Sequence, residues 1–428
     1  MNLFKKRGGI IIACVIVVAV LGTGVLLAMN TNKPLDKAPR HESQMDAEGN
    51  PLNYLEQLPE TNKLVLYRNI FNYYLLDPAV KIFQWMYPGV EVEVRDFVDS
   101  IREYYDVIQT EISSGKGPDL LVMSDTSDFP DIYKVMDADV FCDLNDFIGG
   151  DPGFSLEDYN KAVMDSGVYK GKRYVAPINH YRNILLTSEE TLAAAGMVAE
   201  SFSTFAGYAG EIRQFLERNG STKLVYNQQQ QYFYMLFPWC GINYIDYETK
   251  TVNIEGEDFK KVMDAYRDIY AQDWEPSDIT NITHFMYLIP DTLRSDKILF
   301  GGENSGFYST LKNFMAYYGA LDAYGYTPAY FPFPSANGKK ITKAGIMAAV
   351  LNSSPNKLNA YRFLKILLSE QIQSADAADM PLLYFPVLND AIAIKAKKQR
   401  KIKIGVTALR TLSNSLNRVR RENRLSKI

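Results

Sequence analysis

"SSGKGPDLLVMSD", residues 113–125, decides how the rest of the chain is read. It follows "SIREYYDVIQTEISSG" (100–115), where Ser100 and Glu103 form a capping box and Ile101, Tyr105, Ile108 and Ile112 recur at helical spacing. A loop that cradles phosphate runs from strand through glycines into a helix, so that free N–H groups at the helix start face the anion. Here the order is helix, glycines, strand. Lys116 is followed by Gly117 and not by a metal-binding hydroxyl, and Pro118 has no N–H to give. Gly115 and Gly117 therefore suit a helix C-cap, and "PDLLVM" reads as the next parallel strand. In open parallel sheets the ligand crevice lies beyond the carboxyl ends of the strands. That rule points to Ser124 and Asp125 here, and to Arg68 and Asn69 after the first strand.

Upstream, "NKLVLYRN" (62–69) is a short apolar strand, and "DPAVKIFQWMYPG" (77–89) a helix with Asp77 as the expected cap and Pro78 in the first turn. In "VEVEVRDF" (90–97), valines alternate with charges as in a half-exposed strand. Together these make a βαβ unit and predict an α/β protein.

The 428 residues exceed one ordinary domain, and a hydrophobic content of 47% is ample for one large bilobed body or two cores. The net charge of −4 conceals an asymmetry: residues 391–428 carry net +11, leaving −15 for the rest. An acidic body gives no electrostatic support to nucleic-acid binding. The basic tail reads as a solvated, partly helical end or as a contact for anionic lipid or wall polymer.

At the start, Lys5, Lys6 and Arg7 precede 22 uncharged residues, Gly8 to Met29. At about 1.5 Å per residue the run reaches roughly 33 Å, enough to cross a bilayer with the N-terminus inside. An uncleaved anchor is the favoured reading; lipidation at Cys14 and signal cleavage are the alternatives, and all three export the protein. Residues 31–60, polar and broken by prolines, read as a linker. Cys142 and Cys240, the only cysteines of the exported part, are read as two buried thiols rather than a bridge.

Eight stretches in order, "FQWMYPGVEVEV", "SSGKGPDLLVMSD", "FCDLNDFI", "GVYKGKRYVAPI", "EETLAAAGM", "YRDIYAQDW", "FPFP" and "NSSPNKLNAYRFLKILLSEQIQS", make the chain from about 62 to 390 resemble an extracellular solute-binding protein of an ABC importer, of the family that includes the maltose and oligosaccharide binders. The resemblance implies a two-lobed, type II periplasmic-binding-protein-like α/β fold, each lobe a mainly parallel sheet flanked by helices, joined by a hinge. It implies lobe 1 over 61–178 and 335–374, and lobe 2 over 179–334 and 375–390, with crossings at "APINHYRNI" (176–184) and "PAYFPFP" (328–334). Where members usually carry a Tyr-Asn pair after the first crossing, this chain has Thr187 and Ser188.

Converging catalytic groups are not evident. His41, His180 and His284 are scattered, and no metal-spaced cysteine pair or nucleophile elbow occurs. Acidic pairs such as Asp125 with Asp128 are easily found by chance among 50 carboxylates, so no catalytic role and no metal or cofactor is expected. A hydroxylated ligand instead asks for aromatic faces and planar polar groups. The first crossing offers Asn179, His180 and Tyr181, where the family has a ligand-contacting polar residue. "FPWCGIN" offers Trp239, "LFGGENSGFYSTL" offers Asn304, Phe307 and Tyr308, and "MPLLYFP" offers Tyr384, each with ordinary packing as the competing role. Arg68 and Arg182 would favour an acidic sugar unless they form structural ion pairs.

The resemblance thus implies a monomeric receptor on the outer face of a bacterial membrane that closes on a carbohydrate, an oligosaccharide, and delivers it to ABC permease subunits. A sensory receptor of the same fold and a surface carbohydrate-active enzyme are the other two readings.

Overall fold

The structure, a computed structural model, describes residues 53–124, 132–219, 233–270, 301–304, 325–375 and 385–391. The expected membrane or signal segment (1–30) and the basic tail beyond Ala391 lie outside them. Among the described residues no helix is long and apolar enough to cross a membrane.

The first strand, β1 (Lys63–Asn69), buries Leu64, Leu66 and Tyr67 and runs parallel to β2 (Glu91–Phe97), from Lys63 opposite Glu91 to Asn69 opposite Phe97. Between them lies helix α1 (Tyr73–Met86). Its start differs from the expected one. The helix begins four residues ahead of Asp77, because Asn69 and Asn72 lock the preceding turn: the Asn69 N–H donates to Asn72 Oδ1 at 2.8 Å and the Asn72 N–H to Asn69 Oδ1 at 3.2 Å. Asp77 and Pro78 therefore fall inside the helix, and Asp77 pairs with Arg68 at 2.8 Å.

Helix α2 (Ile101–Ser113) opens with the Glu103 N–H donating to Ser100 Oγ at 3.4 Å and buries Tyr104, Ile108 and Ile112. The glycine loop closes it. Gly115 sits at φ 71°, left-handed backbone that glycine adopts without strain, and the Lys116 N–H donates back to Glu111 O at 2.8 Å. The chain then enters β3 (Leu120–Ser124), parallel to β1 through Leu66 opposite Leu120. Leu120 and Val122 join the core on one face of the sheet, Leu121 and Met123 the core on the other. A strand buried on both faces belongs in the centre of its sheet.

After a short helix α3 (Ile132–Asp137), β4 (Ala176–Pro177) completes the sheet together with β12, introduced below. From β4 the chain passes through β5 (Asn179–Tyr181) into β6 (Asn183–Ser188). Beyond it lie helices α4 (Phe205–Asn219) and α5 (Phe233–Trp239), the hairpin strands β7 (Ile245–Asp246) and β8 (Thr251–Val252), and helix α6 (Glu257–Tyr270). Strands β9 (Gly301–Asn304) and β10 (Pro328–Pro332) both pair antiparallel with β6. A second core gathers there, with Leu185, Phe205, Tyr208, Phe215, Phe237 and Phe333 buried in it. Residues 328–334, expected as the second crossing, thus provide a strand of this second sheet and a core phenylalanine.

The chain returns through β11 (Lys343–Ala344) to β12 (Ile346–Val350), helix α7 (Lys357–Leu368) and helix α8 (Glu370–Gln373), and β13 (Phe385–Pro386) follows. Strand β12 inserts antiparallel between β3 and β4, giving the order β2-β1-β3-β12-β4 in which β12 alone runs against the rest. A separate three-stranded sheet, β11-β5-β13, ties together the segments that lead into and out of the first sheet.

Two polar knots fasten the returning chain. Asp119 accepts from the Val65 N–H at 2.6 Å, Ser354 Oγ at 2.6 Å and Asn356 Nδ2 at 3.0 Å. Gln373 Nε2 donates to Ile178 O and Leu367 O, both at 2.9 Å, while its Oε1 accepts from the Val387 N–H at 2.9 Å. One buried amide thereby binds three separate segments.

Candidate functional site

The carboxyl ends of β1 and β3 are held together by Asn72, fully buried, whose Nδ2 donates to Tyr67 O at 3.1 Å and Val122 O at 2.9 Å. This brings Asn69 and Ser124 to one edge of the first sheet. Ser124 lies opposite Ile346, whose N–H donates to Asn179 Oδ1 at 2.7 Å, so Asn179 joins the same edge. Three of the residues expected from sequence thus stand together: Asn69, Ser124 and Asn179. The Asn69 carbonyl oxygen Oδ1 is committed to the turn, accepting from the Phe71 N–H at 2.8 Å as well as from Asn72.

His180 and Tyr181 continue from this edge on β5, opposite Ala344 and Lys343, and both are buried. The Phe385 ring lies 5.6 Å from the His180 ring. Asn179 Nδ2 and Asn183 Oδ1 are buried and have no hydrogen-bond partner, and the His180 ring nitrogens make no hydrogen bond of good geometry, although the Pro386 backbone lies against the ring. Ser335 Oγ, on the segment after β10, is likewise buried without a partner. Buried polar groups are normally satisfied, so an unsatisfied run within five residues makes this stretch a candidate for contact with a ligand. Burial pushes the His180 pKa down to about 4, with the Arg182 guanidinium adding to the drop and a backbone contact at Pro386 opposing it. The ring is neutral at pH 7 and carries one donor and one acceptor.

Neither arginine is idle. Arg68 is held by Asp77 at 2.8 Å and Asp96 at 2.6 Å, and this pairing, first of all, keeps the Asp96 carboxyl below the usual carboxylate range. Arg182 Nε donates to Thr342 Oγ1 at 3.0 Å.

Trp239 ends α5, half-buried on the second core, edge-on to Phe333 at 5.5 Å. Gly241, at φ 77°, turns the chain there so closely against Ile341 that a Cβ would collide with it. The Asn304 backbone pairs with Asn183, which sets it beside the crossing. Asp125, Phe307, Tyr308 and Tyr384 lie outside the described residues.

Sequence reasoning missed Asn72, Asn183, Ser335 and Gln373, which carry no motif. It also missed Ile70, Phe71 and Tyr73, which are exposed directly after β1 at the same carboxyl edge. Three large apolar side chains facing water at a strand end was the available signal. Cys142 and Cys240 are free and buried, as expected.

The chain matches the family described as bacterial extracellular solute-binding protein over residues 70–374. No curated protein sequence matches it. Solved structures of similar fold include the ABC substrate-binding protein Lmo0181 of Listeria monocytogenes in complex with cycloalternan, 16% identical, covering 78% of this chain and 82% of that one at a TM-score of 0.53. The sugar-binding protein MalE of Xanthomonas citri is also 16% identical, with coverage of 77% and 82% and a TM-score of 0.60. UgpB of Mycobacterium tuberculosis in complex with glycerophosphocholine is 14% identical, with coverage of 78% and 84% and a TM-score of 0.53. The strand order with its single reversed strand, and a family match spanning well over half of the 428 residues, lead to one assignment: the chain belongs to the bacterial extracellular solute-binding proteins.

Proposed function

We propose that this protein captures a neutral, polyhydroxylated ligand, a carbohydrate and by preference an oligosaccharide, between its two sheet-centred bodies and hands it to the permease of an ABC importer. The observation that carries the reading is the run from Asn179 to Asn183, where a buried amide donor and a buried amide acceptor lack partners on either side of a neutral imidazole. An unmade buried hydrogen bond costs about 1–3 kcal/mol. A sugar hydroxyl donates and accepts at once, so neighbouring hydroxyls match such a mixed row. An anionic sugar would need an uncommitted cation, and Arg68 is already paired with two carboxylates. Exposed Phe71 and Tyr73 at the same sheet edge supply flat faces for the C–H side of a sugar ring.

Two further readings go with this one. The segment 1–30 anchors the protein to the outer face of the membrane. The expected lobes, 61–178 with 335–374 and 179–334 with 375–390, are adjusted at two places: the Phe205 N–H donates to Ser335 O at 2.7 Å, which keeps residue 335 with the second body and puts the second crossing after it, and Val387 packs in the first core.

The test is a titration of the full-length protein with a panel of oligosaccharides, followed by tryptophan emission and melting temperature. Saturable binding that His180→Ala weakens supports the proposal. Silence across the panel, with a response to glycerophosphodiesters or amines, removes the carbohydrate assignment.

A further inference from the structure

The edge of the first sheet opposite Asn69 and Ser124 carries an apolar projection that takes no part in packing the cores. Helix α1 buries Tyr74, Leu75, Leu76, Ala79 and Phe83 and runs back beside β1, so its last turn reaches the amino ends of β1 and β2, where the Glu91 N–H donates to Asn62 O at 2.7 Å. Trp85, about 200° around the helix from Phe83, is 83% exposed, more than any other large apolar side chain among the described residues, and Met86 beside it is 48% exposed. Their mount is fixed. The Tyr87 N–H donates to Phe83 O at 2.8 Å, and the Tyr87 ring lies 4.9 Å from the Phe83 ring with the Arg362 guanidinium 5.1 Å from its centre. Arg362 and Lys63, cations at this edge, pair with Glu60 at 2.6 Å and Glu93 at 2.7 Å, so the edge presents apolar surface more than charge. The chain also enters the body here: residues 58–62 lead into β1, and Asn359 Nδ2 donates to Thr61 O at 2.9 Å.

We propose that Trp85 and Met86 rest in the interfacial layer of the bilayer to which segment 1–30 anchors the protein, which turns the edge bearing Asn69, Ser124 and Asn179 toward the medium. The inference rests on that anchor reading. Residues 31–52 separate the segment from Asn53, and a chain of that length bridges at most about 75 Å even when fully extended. The edge at which the chain enters is therefore the one that the tether draws toward lipid. A short tether sets an effective concentration in the mM range, so a contact too weak to hold free protein is still occupied. An indole, apolar in body with one N–H, suits the headgroup boundary, and the paired cations leave no need for anionic lipid. A receptor held this way collects solute with its crevice outward and lifts off to deliver it.

The experiment uses the full-length protein in phosphatidylcholine vesicles, with and without bromine near the top of the acyl chains, where it dims the emission of any tryptophan it touches. Brominated lipid is expected to remove up to about a third of the parent's emission, Trp85 being one of three tryptophans. Trp85→Phe should lose that response. Met86→Asp keeps the reporter but sets a carboxylate in the apolar contact, and should abolish most of the dimming with an unchanged melting temperature. An alkaline wash of the vesicles reads the anchor separately. Protein that stays on the vesicles, but whose dimming is absent, survives Trp85→Phe or ignores Met86→Asp, overturns the lipid contact alone, and so does Trp85-dependent pairing of copies in place of dimming. Protein lost in the wash overturns the contact and the anchor together.

Discussion

Asp119 and Ser354 stand 235 positions apart in the sequence, yet Ser354 Oγ donates to Asp119 Oδ1 at 2.6 Å in a buried site. That bond joins the entrance of β3 to the loop before α7, so the chain's late return is fastened where its early core begins.

Asp119→Ala leaves three donors, Val65 N–H, Ser354 Oγ and Asn356 Nδ2, without their acceptor. The expected loss is about 3–5 kcal/mol of folding free energy, read as a lowered denaturant midpoint. Ligand affinity of the fraction that still folds should be unchanged, because Asp119 sits at the opposite end of β3 from Ser124.

His180 makes stability depend on pH. Its folded pKa of about 4 lies below the ordinary 6.5, so between those values the unfolded chain binds the proton and the folded one does not. Stability from this group is complete above pH 6.5 and falls as pH drops toward 4, by about 3 kcal/mol in all. Chemical denaturation at a series of pH values should show that slope, and His180→Asn should remove its share. An identical slope in the variant would refute the shift.

Phe71 and Tyr73 are 42% and 36% exposed, so truncating either to Ala should change the melting temperature of the ligand-free protein little. If they stack on a sugar, each truncation weakens binding by about 0.5–1.5 kcal/mol, measured by titration calorimetry. Equal affinities in parent and variants would take them out of the site.

Burial pushes the Cys142 thiol up to about 12 and raises Cys240 as well. Neither should react with a thiol reagent at pH 8 until denaturant is added, and both should then react together with unfolding. Rapid labelling of the native protein at either position, located by mass spectrometry, would contradict this.

The alternation in "VEVEVRDF", the capping Ser100 and the glycines after α2 all act within a few residues of themselves, and the elements they predict are present. The start of α1 was not legible in the same way. Asp77 and Pro78 satisfy every local rule for a helix beginning, but the side chains of Asn69 and Asn72 begin it earlier by bonding each other's backbone. The site divides likewise. Asn69 and Ser124 could be named because strand order predicts which loop ends meet, and Asn179 because of the resemblance at the first crossing, whereas Phe71, Tyr73 and Asn183 required knowing what covers each side chain.

What the amino-acid order determined alone was the βαβ beginning, the closed glycine loop and the family, since periodicity, caps and motif succession are short-range properties of a polymer. Only the tertiary structure decided that Pro328–Pro332 pairs with Asn183–Ser188, that Gln373 binds three segments at once, and that Arg68 is spent on two carboxylates. Those outcomes depend on which groups, tens to hundreds of residues apart, are desolvated together, and burial is a property of the packed molecule rather than of any stretch within it.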